Sequence, residues 1–159
     1  MSTAVIPDLD GLIGKPIQDI CSLGYSDSSE NHCAHFVSHA LEIQCATLCG
    51  DMKSATRHQG ATIRVHELFN NLNGRGAWED RPEKAPALLI FVTAAANVHQ
   101  GQMRNVPQKH VGIFYQNSVY NYSNTLYRVV RDATVDLFHD KFKRAYRGPN
   151  VSLFYGMIP

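Results

Sequence analysis

Three histidines and one cysteine crowd into eight residues of the stretch ENHCAHFVSHAL, positions 30–41: His32, Cys33, His35 and His39. Such side chains do two kinds of chemistry. Imidazole and thiolate ligate zinc-like metals, and a thiolate served by an imidazole attacks carbonyl carbon. On a helix turning about 100° per residue, Cys33, Phe36, Val37, Ala40 and Leu41 form one apolar stripe, and the three histidines lie roughly 140° round from its centre. Cys33 therefore shares no ligand set with the histidines of its own helix. His35 and His39 stand four apart, the spacing of an HExxH zinc helix, but no glutamate follows His35 and the segment supplies no third ligand. The expectation is no metal and no cofactor, with these histidines facing solvent or satisfied by hydrogen bonds.

Cys33 then reads either as a small core residue or as a nucleophile. Its place in the first turn of the helix favours a thiolate through the free backbone N–H groups there. The helix end contributes about 0.3–1 kcal/mol, while one pKa unit needs about 1.36 kcal/mol. The helix alone does not make a reactive thiolate, so a base must come from elsewhere.

His110 opens the run HVGIFYQ, 77 residues downstream of Cys33. Strand alternation puts His110, Gly112 and Phe114 on one face, and Gly112 leaves room for a close approach. A third group should orient the imidazole. Asn121 and Ser123 lie on the following strand. With Asn117-Ser118 as the turn, Asn121 pairs with Phe114 and Ser123 with Gly112. That register leaves Ser123 or Asn124 nearer to His110, and Asn121 needs a bulge or a strong twist to reach it.

The chain that must position these groups has 159 residues, 44% of them hydrophobic and 18% charged, a length and composition that suit one globular domain, 1–159. The formal charge of +1 gives no global field to recruit nucleic acid. KFKRAYR near the C-terminus reads as a solvated helix face. No apolar run is long enough to insert in a membrane. The N-terminal stretch carries Asp8 and Asp10 where a secretory leader would be apolar; the expectation is synthesis in the cytoplasm, with export, if any, by a dedicated machine. Cys21, Cys33, Cys45 and Cys49 form no CxxC pair, which argues against a zinc ribbon or a thioredoxin motif. Cys45 and Cys49 are expected as buried thiols on one helix face, poorly placed for a disulfide.

Periodicity predicts a short helix after Pro16, helices over 31–44 and 62–72, and then a change of pattern. ALLIFVTAA reads as a buried strand, ANVHQGQMRNVPQK as a polar loop, HVGIFYQ and VYNYS as a hairpin, and LYRVVRD as a further strand. VDLFHDKFKRAY has helical spacing and VSLFYGMI closes as a strand. Helices first and then mostly antiparallel strands make an α+β architecture.

NHCAHFVSHAL, then a second helix, LLIFV and HVGIFYQNSVYNYSN resemble the papain-like NlpC/P60 and CHAP cysteine amidase superfamily over roughly 31–124. The resemblance implies a papain-like fold with N-terminal helices packed on the sheet. It also implies a nucleophile at Cys33, a base at His110 and an orienting residue at Asn121. The activity implied is amide hydrolysis in peptidoglycan peptides. The missing leader is similar to that of type VI secretion amidase effectors, toxins delivered into a neighbour's periplasm, for which an immunity protein is an expected partner. Three features depart from the family pattern: APALLIFV replaces PGDLVFF, His32 precedes the cysteine in place of Asp or Asn, and Asn121 follows His110 early. CAHFV is also similar to the NCEHFV of lecithin retinol acyltransferase-like enzymes, but there the histidine precedes the cysteine. The same thiol in an acyltransferase or deconjugating protease, or a non-catalytic binding module, are the competing readings.

Overall fold

Residues 87–94 carry seven buried side chains in succession and form the centre of the sheet, because an apolar run of this length buries both faces. The computed structural model describes residues 5–148 and 150–159; the first four residues of the stretch compared with a leader lie outside them. The helices are α1 (Cys33–Leu41), α2 (Val65–Asn70) and α3 (Val135–Tyr146). The strands are β1 (Arg75–Ala77), β2 (Ala87–Ala94), β3 (Val98–His99), β4 (Gln102–Met103), β5 (Lys109–Tyr115), β6 (Ser118–Ser123), β7 (Arg128–Asp132) and β8 (Val151–Gly156). Six strands make one antiparallel sheet in the order β1-β8-β2-β5-β6-β7, and β3 pairs with β4 within the stretch expected as a polar loop. The α+β expectation holds in this form.

The period-2 alternation of the strands sorts their side chains between two helical layers. Leu89, Phe91, Val111, Ile113, Tyr120 and Tyr122 pack with Cys33, Phe36 and Val37 of α1 and with Leu68 and Phe69 of α2. Ile90, Val92, Val119 and Leu153 face the other way and pack under Phe138 and Phe142 of α3. Each large side chain so buried contributes about 1.5–3 kcal/mol. No described helix is long and apolar enough to cross a membrane. Lys143, Arg144 and Arg147 of the basic run are exposed.

Helix α1 is shorter than the 31–44 expected. It ends where Glu42 turns into the left-handed region (φ 56°). The chain from there to α2 is irregular, and a pair of bonds between Thr62 and Cys45 explains why. The Thr62 hydroxyl accepts from the Cys45 N–H at 2.8 Å and donates to the Cys45 carbonyl at 2.9 Å, which holds Thr62 outside any helix and delays α2 to Val65. Cys45 and Cys49 therefore do not share a helix face; Cys49 opens a single 3-10 turn, Cys49–Met52. The element expected after Pro16 is likewise one 3-10 turn, Ile17–Asp19.

The hairpin between β5 and β6 differs from expectation by two residues in register. The turn is Gln116-Asn117, both at positive φ (50° and 66°), as a two-residue type I′ turn demands. Ser118 belongs to the strand, buried, with its hydroxyl donating to the Ala133 carbonyl at 3.1 Å. The register is Tyr115↔Ser118, Phe114↔Val119, Ile113↔Tyr120 and Gly112↔Asn121, and the pairing stops there. A shift of two keeps every side chain on its expected face and moves Asn121 one step closer to His110.

Candidate functional site

Cys33 is the first residue of α1. Its N–H donates to Asn31 Oδ1 at 2.9 Å, and the N–H before it, of His32, donates to Asn124 Oδ1 at 2.9 Å. These side-chain acceptors cap the helix, since the first N–H groups have no intrahelical partner. The Cys33 sulfur is fully buried and packs in one cluster with Val111, the residue after His110, beyond the last β5–β6 pair. Burial pushes the thiol up to about 11, against the pull of the Val111 and Ala34 amides and of the Lys109 ammonium.

His110 projects from the opposite face of β5. Its ring stacks on Phe142 at 4.4 Å between centroids and lies near Phe138. Its Nε2 is 3.0 Å from Asn121 Oδ1. Asn121 Nδ2 donates to Asp132 Oδ2 at 2.9 Å, and Lys141 Nζ donates to the same oxygen at 2.6 Å. The chain of partners fixes the proton. Asp132 takes the amide N–H of Asn121, so Asn121 presents its oxygen to His110, and His110 must donate from Nε2. In the neutral ring Nδ1 then carries the lone pair. Burial drives the imidazole down to about 4; the Asn121 hydrogen bond opposes this, Lys141 adds to it and Asp132 opposes it.

Asn121 and His110 are thus brought together without a bulge. Ser123 and Asn124 serve elsewhere: the Ser123 hydroxyl accepts from the Leu126 N–H, and Asn124 caps α1. Asp132, which carries no motif, escaped the sequence reading, and Lys141, expected on the solvated face of the KFKRAYR run, is half-buried and completes the network instead. The hydrogen bonds of the described residues do not include one between Cys33 and His110; the thiol reaches the strand from the α1 side and the imidazole leaves it on the α3 side.

A cleft of about 430 Å³ opens at the Asn31 end of α1, lined by Asn31, Arg64, His66, Asn105 and Lys109 among others. A larger hollow, about 740 Å³, lies away from Cys33 at the other end of the helix, beside His39, Glu42 and Gly60.

The expectation that the α1 histidines face solvent or are satisfied by hydrogen bonds holds in its second form for His32, which bonds His35 and the Asp27 carbonyl, and for one nitrogen of His35. His32 and His35 are buried and His39 is half-buried. His35 and His39 meet Cys21 and Cys49, with one ligand-type atom from each of the four within 4.8 Å of all the others. The expectation of no metal-ligating set rested on the lack of a third ligand within the helix; Cys21 and Cys49 come in from segments on either side of it. Comparison with family models, curated proteins and solved structures finds no match for this chain.

Proposed function

We propose that this protein is a thiol-dependent amidase of papain-like NlpC/P60 type, with Cys33 as nucleophile, His110 as base and Asn121 as the residue that orients the base. One observation carries the reading. The Asp132–Asn121–His110 chain leaves the basic nitrogen of His110 at Nδ1, on the strand against which Cys33 packs.

The two shifts decide how the pair works. With the thiol at about 11 and the imidazole at about 4, moving the proton from sulfur to nitrogen costs about 10 kcal/mol before the charges attract. Attraction between the two charges returns only part of that. The pair rests neutral, and proton transfer accompanies attack. In the resting structure His110 stacks on Phe142 on the α3 side of β5, so attack requires its ring to leave that stack and reach the sulfur; Nδ1 then takes the thiol proton as sulfur bonds to the amide carbon and the carbonyl pair moves to oxygen. That pair returns as the C–N bond breaks, and the amine leaves with the proton from Nδ1. Water then attacks the thioester, passing its proton through Nδ1 to the departing sulfur.

Asn31 Oδ1 occupies the Cys33 N–H in the resting state, the place an oxyanion would take. Asn31 also lines the cleft, so a substrate entering there displaces it. The cations around that cleft, Arg64 and Lys109, suit a peptide bearing free carboxylates. This agrees with the peptidoglycan stem peptides that the sequence resemblance implies. The test is digestion of purified sacculi with product analysis: Cys33→Ala and His110→Ala each abolish cleavage while keeping the wild-type circular dichroism. Turnover retained by either folded variant overturns the reading.

A further inference from the structure

We propose that Cys21, His35, His39 and Cys49 form a structural zinc site, a Cys₂His₂ tetrahedron that ties the irregular N-terminal half of the chain to α1. Two distances already match the edges of such a tetrahedron. Cys21 Sγ and Cys49 Sγ stand 3.8 Å apart, and Cys49 Sγ and His39 Nε2 stand 3.7 Å apart. Bonds of about 2.3 Å to sulfur and about 2.05 Å to nitrogen at tetrahedral angles give edges of about 3.8 and 3.6 Å. A disulfide would need the sulfurs at about 2.05 Å.

The unpartnered atom of the cluster points to a ligand. His35 is fully buried, and its Nε2 has no hydrogen-bond partner. Its other nitrogen, Nδ1, lies 3.0 Å from His32 Nδ1, and His32 Nε2 lies 2.7 Å from the Asp27 carbonyl oxygen. A carbonyl only accepts, so His32 donates from Nε2. With His32 neutral, its Nδ1 accepts from His35 Nδ1, and His35 Nε2 is left with a lone pair. A ligating histidine whose second nitrogen donates outward is the usual arrangement around a bound metal. Burial, with His39 and His32 nearby, drives His35 down to about 3, and burial lowers His39 as well.

Burial and the neighbouring Cys21 push the Cys49 thiol up, a cost that a bound cation offsets and that a backbone amide already opposes. The Ala61 N–H donates to its sulfur at 3.3 Å. Gly60 stands beside it at φ +96°, where a Cβ would fall 2.2 Å from the sulfur. Two thiolates balance the charge of Zn²⁺, which removes the cost of burying an uncompensated ion. Binding releases the two thiol protons as two Zn–S bonds form. Mixed nitrogen and sulfur donors in a tetrahedron select zinc, and four protein ligands close the coordination sphere, so the metal is structural. It joins the segment that follows the Ile17–Asp19 turn, helix α1 and the turn at Cys49, a part of the chain with little regular structure.

The experiment uses the full chain. Protein from zinc-supplemented cultures, desalted, is expected to carry about one zinc per chain by elemental analysis. Replacement by Co²⁺ is expected to give the intense visible bands of a tetrahedral site and a near-ultraviolet thiolate charge-transfer band. Cys49→Ser is expected to lose both bands, whereas Cys45→Ser, which removes a thiol outside the cluster, keeps them. His32→Ala is expected to weaken metal affinity about 10–100-fold through His35. The cobalt spectrum is read on the wild type, so a variant that fails to fold does not decide the matter. Zinc below about a tenth of an equivalent, an octahedral cobalt spectrum, or a Cys21–Cys49 disulfide in the native protein would each overturn the proposal.

Discussion

Burial of His110 makes a prediction that separates its energetics from those of every other histidine. The perturbation is His110→Gln, compared with wild type at pH 7.5 and pH 5 by urea unfolding. In the unfolded chain the imidazole titrates near its ordinary 6.5, and in the folded protein near 4. Above pH 6.5 both states are neutral and His110 contributes nothing to the pH dependence. As the pH falls below 6.5 the unfolded state binds a proton that the folded state refuses, so stability is lost through the window from 6.5 to 4. At pH 5 the unfolded imidazole is mostly protonated and the folded one mostly neutral, which costs the folded state about 2 kcal/mol. With a urea slope of about 2 kcal/mol per molar, the wild-type midpoint should fall by about 1 M more than that of His110→Gln. Taking the difference between the two proteins cancels what the distant Cys21–His35–His39–Cys49 cluster contributes at each pH. If wild type and variant lose equal stability to within about 0.5 kcal/mol, His110 titrates close to its ordinary value. The folded protein would then not hold His110 neutral below its ordinary value, and burial would not govern its titration. The same value sets the acid limb of kcat/KM near pH 4, where a solvent-exposed histidine would give 6.5.

Asn121→Ala frees the His110 Nε2–H and lets the ring adopt either tautomer; kcat is expected to fall about ten- to hundredfold with little change in KM, read on a stem-peptide substrate. An unchanged kcat would remove Asn121 from the orienting role. Gly60→Ala places a methyl 2.2 Å from Cys49 Sγ and 2.9 Å from Leu23 Cδ1 at a left-handed φ of +96°; a loss of about 1–3 kcal/mol is expected in urea unfolding, and a neutral result would show that the Cys49 loop is slack.

The elements and their faces were legible because they follow from period. The stripe of Cys33, Phe36 and Val37 packs as the helical wheel places it, and β2 is buried along its length. The hairpin register was off by two because the choice between Asn117-Ser118 and Gln116-Asn117 rests on local energies that nearly cancel. What decides it is distant in sequence: the Ala133 carbonyl that holds the Ser118 hydroxyl. The orienting network was half legible for the same reason. His110 and Asn121 sit in recognisable strands, but Asp132 and Lys141 look like any surface pair until β7 and α3 bring them behind Asn121. The cysteines were the least legible. Cys21 and Cys49 are 28 residues apart with no spacing signature, and their meeting depends on two irregular segments crossing the histidine face of α1. The wheel did separate Cys33 from the histidines correctly, and the hydrogen-bond alternative for that second face holds for His32; what escaped it is that Cys21 and Cys49 meet His35 and His39 there.

Seen from α1, the two sites share one device. The helix is only nine residues long, too short to be stable by propensity, so what fixes its ends decides where Cys33 stands. At the N-terminus the caps are Asn31 and Asn124, and His32 ties the loop before them to His35 through the Asp27 carbonyl. A metal on His35 and His39 therefore fixes the helix axis and, through His32, the loop that leads into the nucleophile. Stripping zinc should then loosen the Cys33 end while leaving the His110–Asn121–Asp132 network intact, since that network hangs on β5, β6, β7 and α3 across the sheet. The two halves of the proposed pair, Cys33 and His110, depend on different parts of the fold, and loss of the proposed metal would uncouple them by displacing the thiol alone.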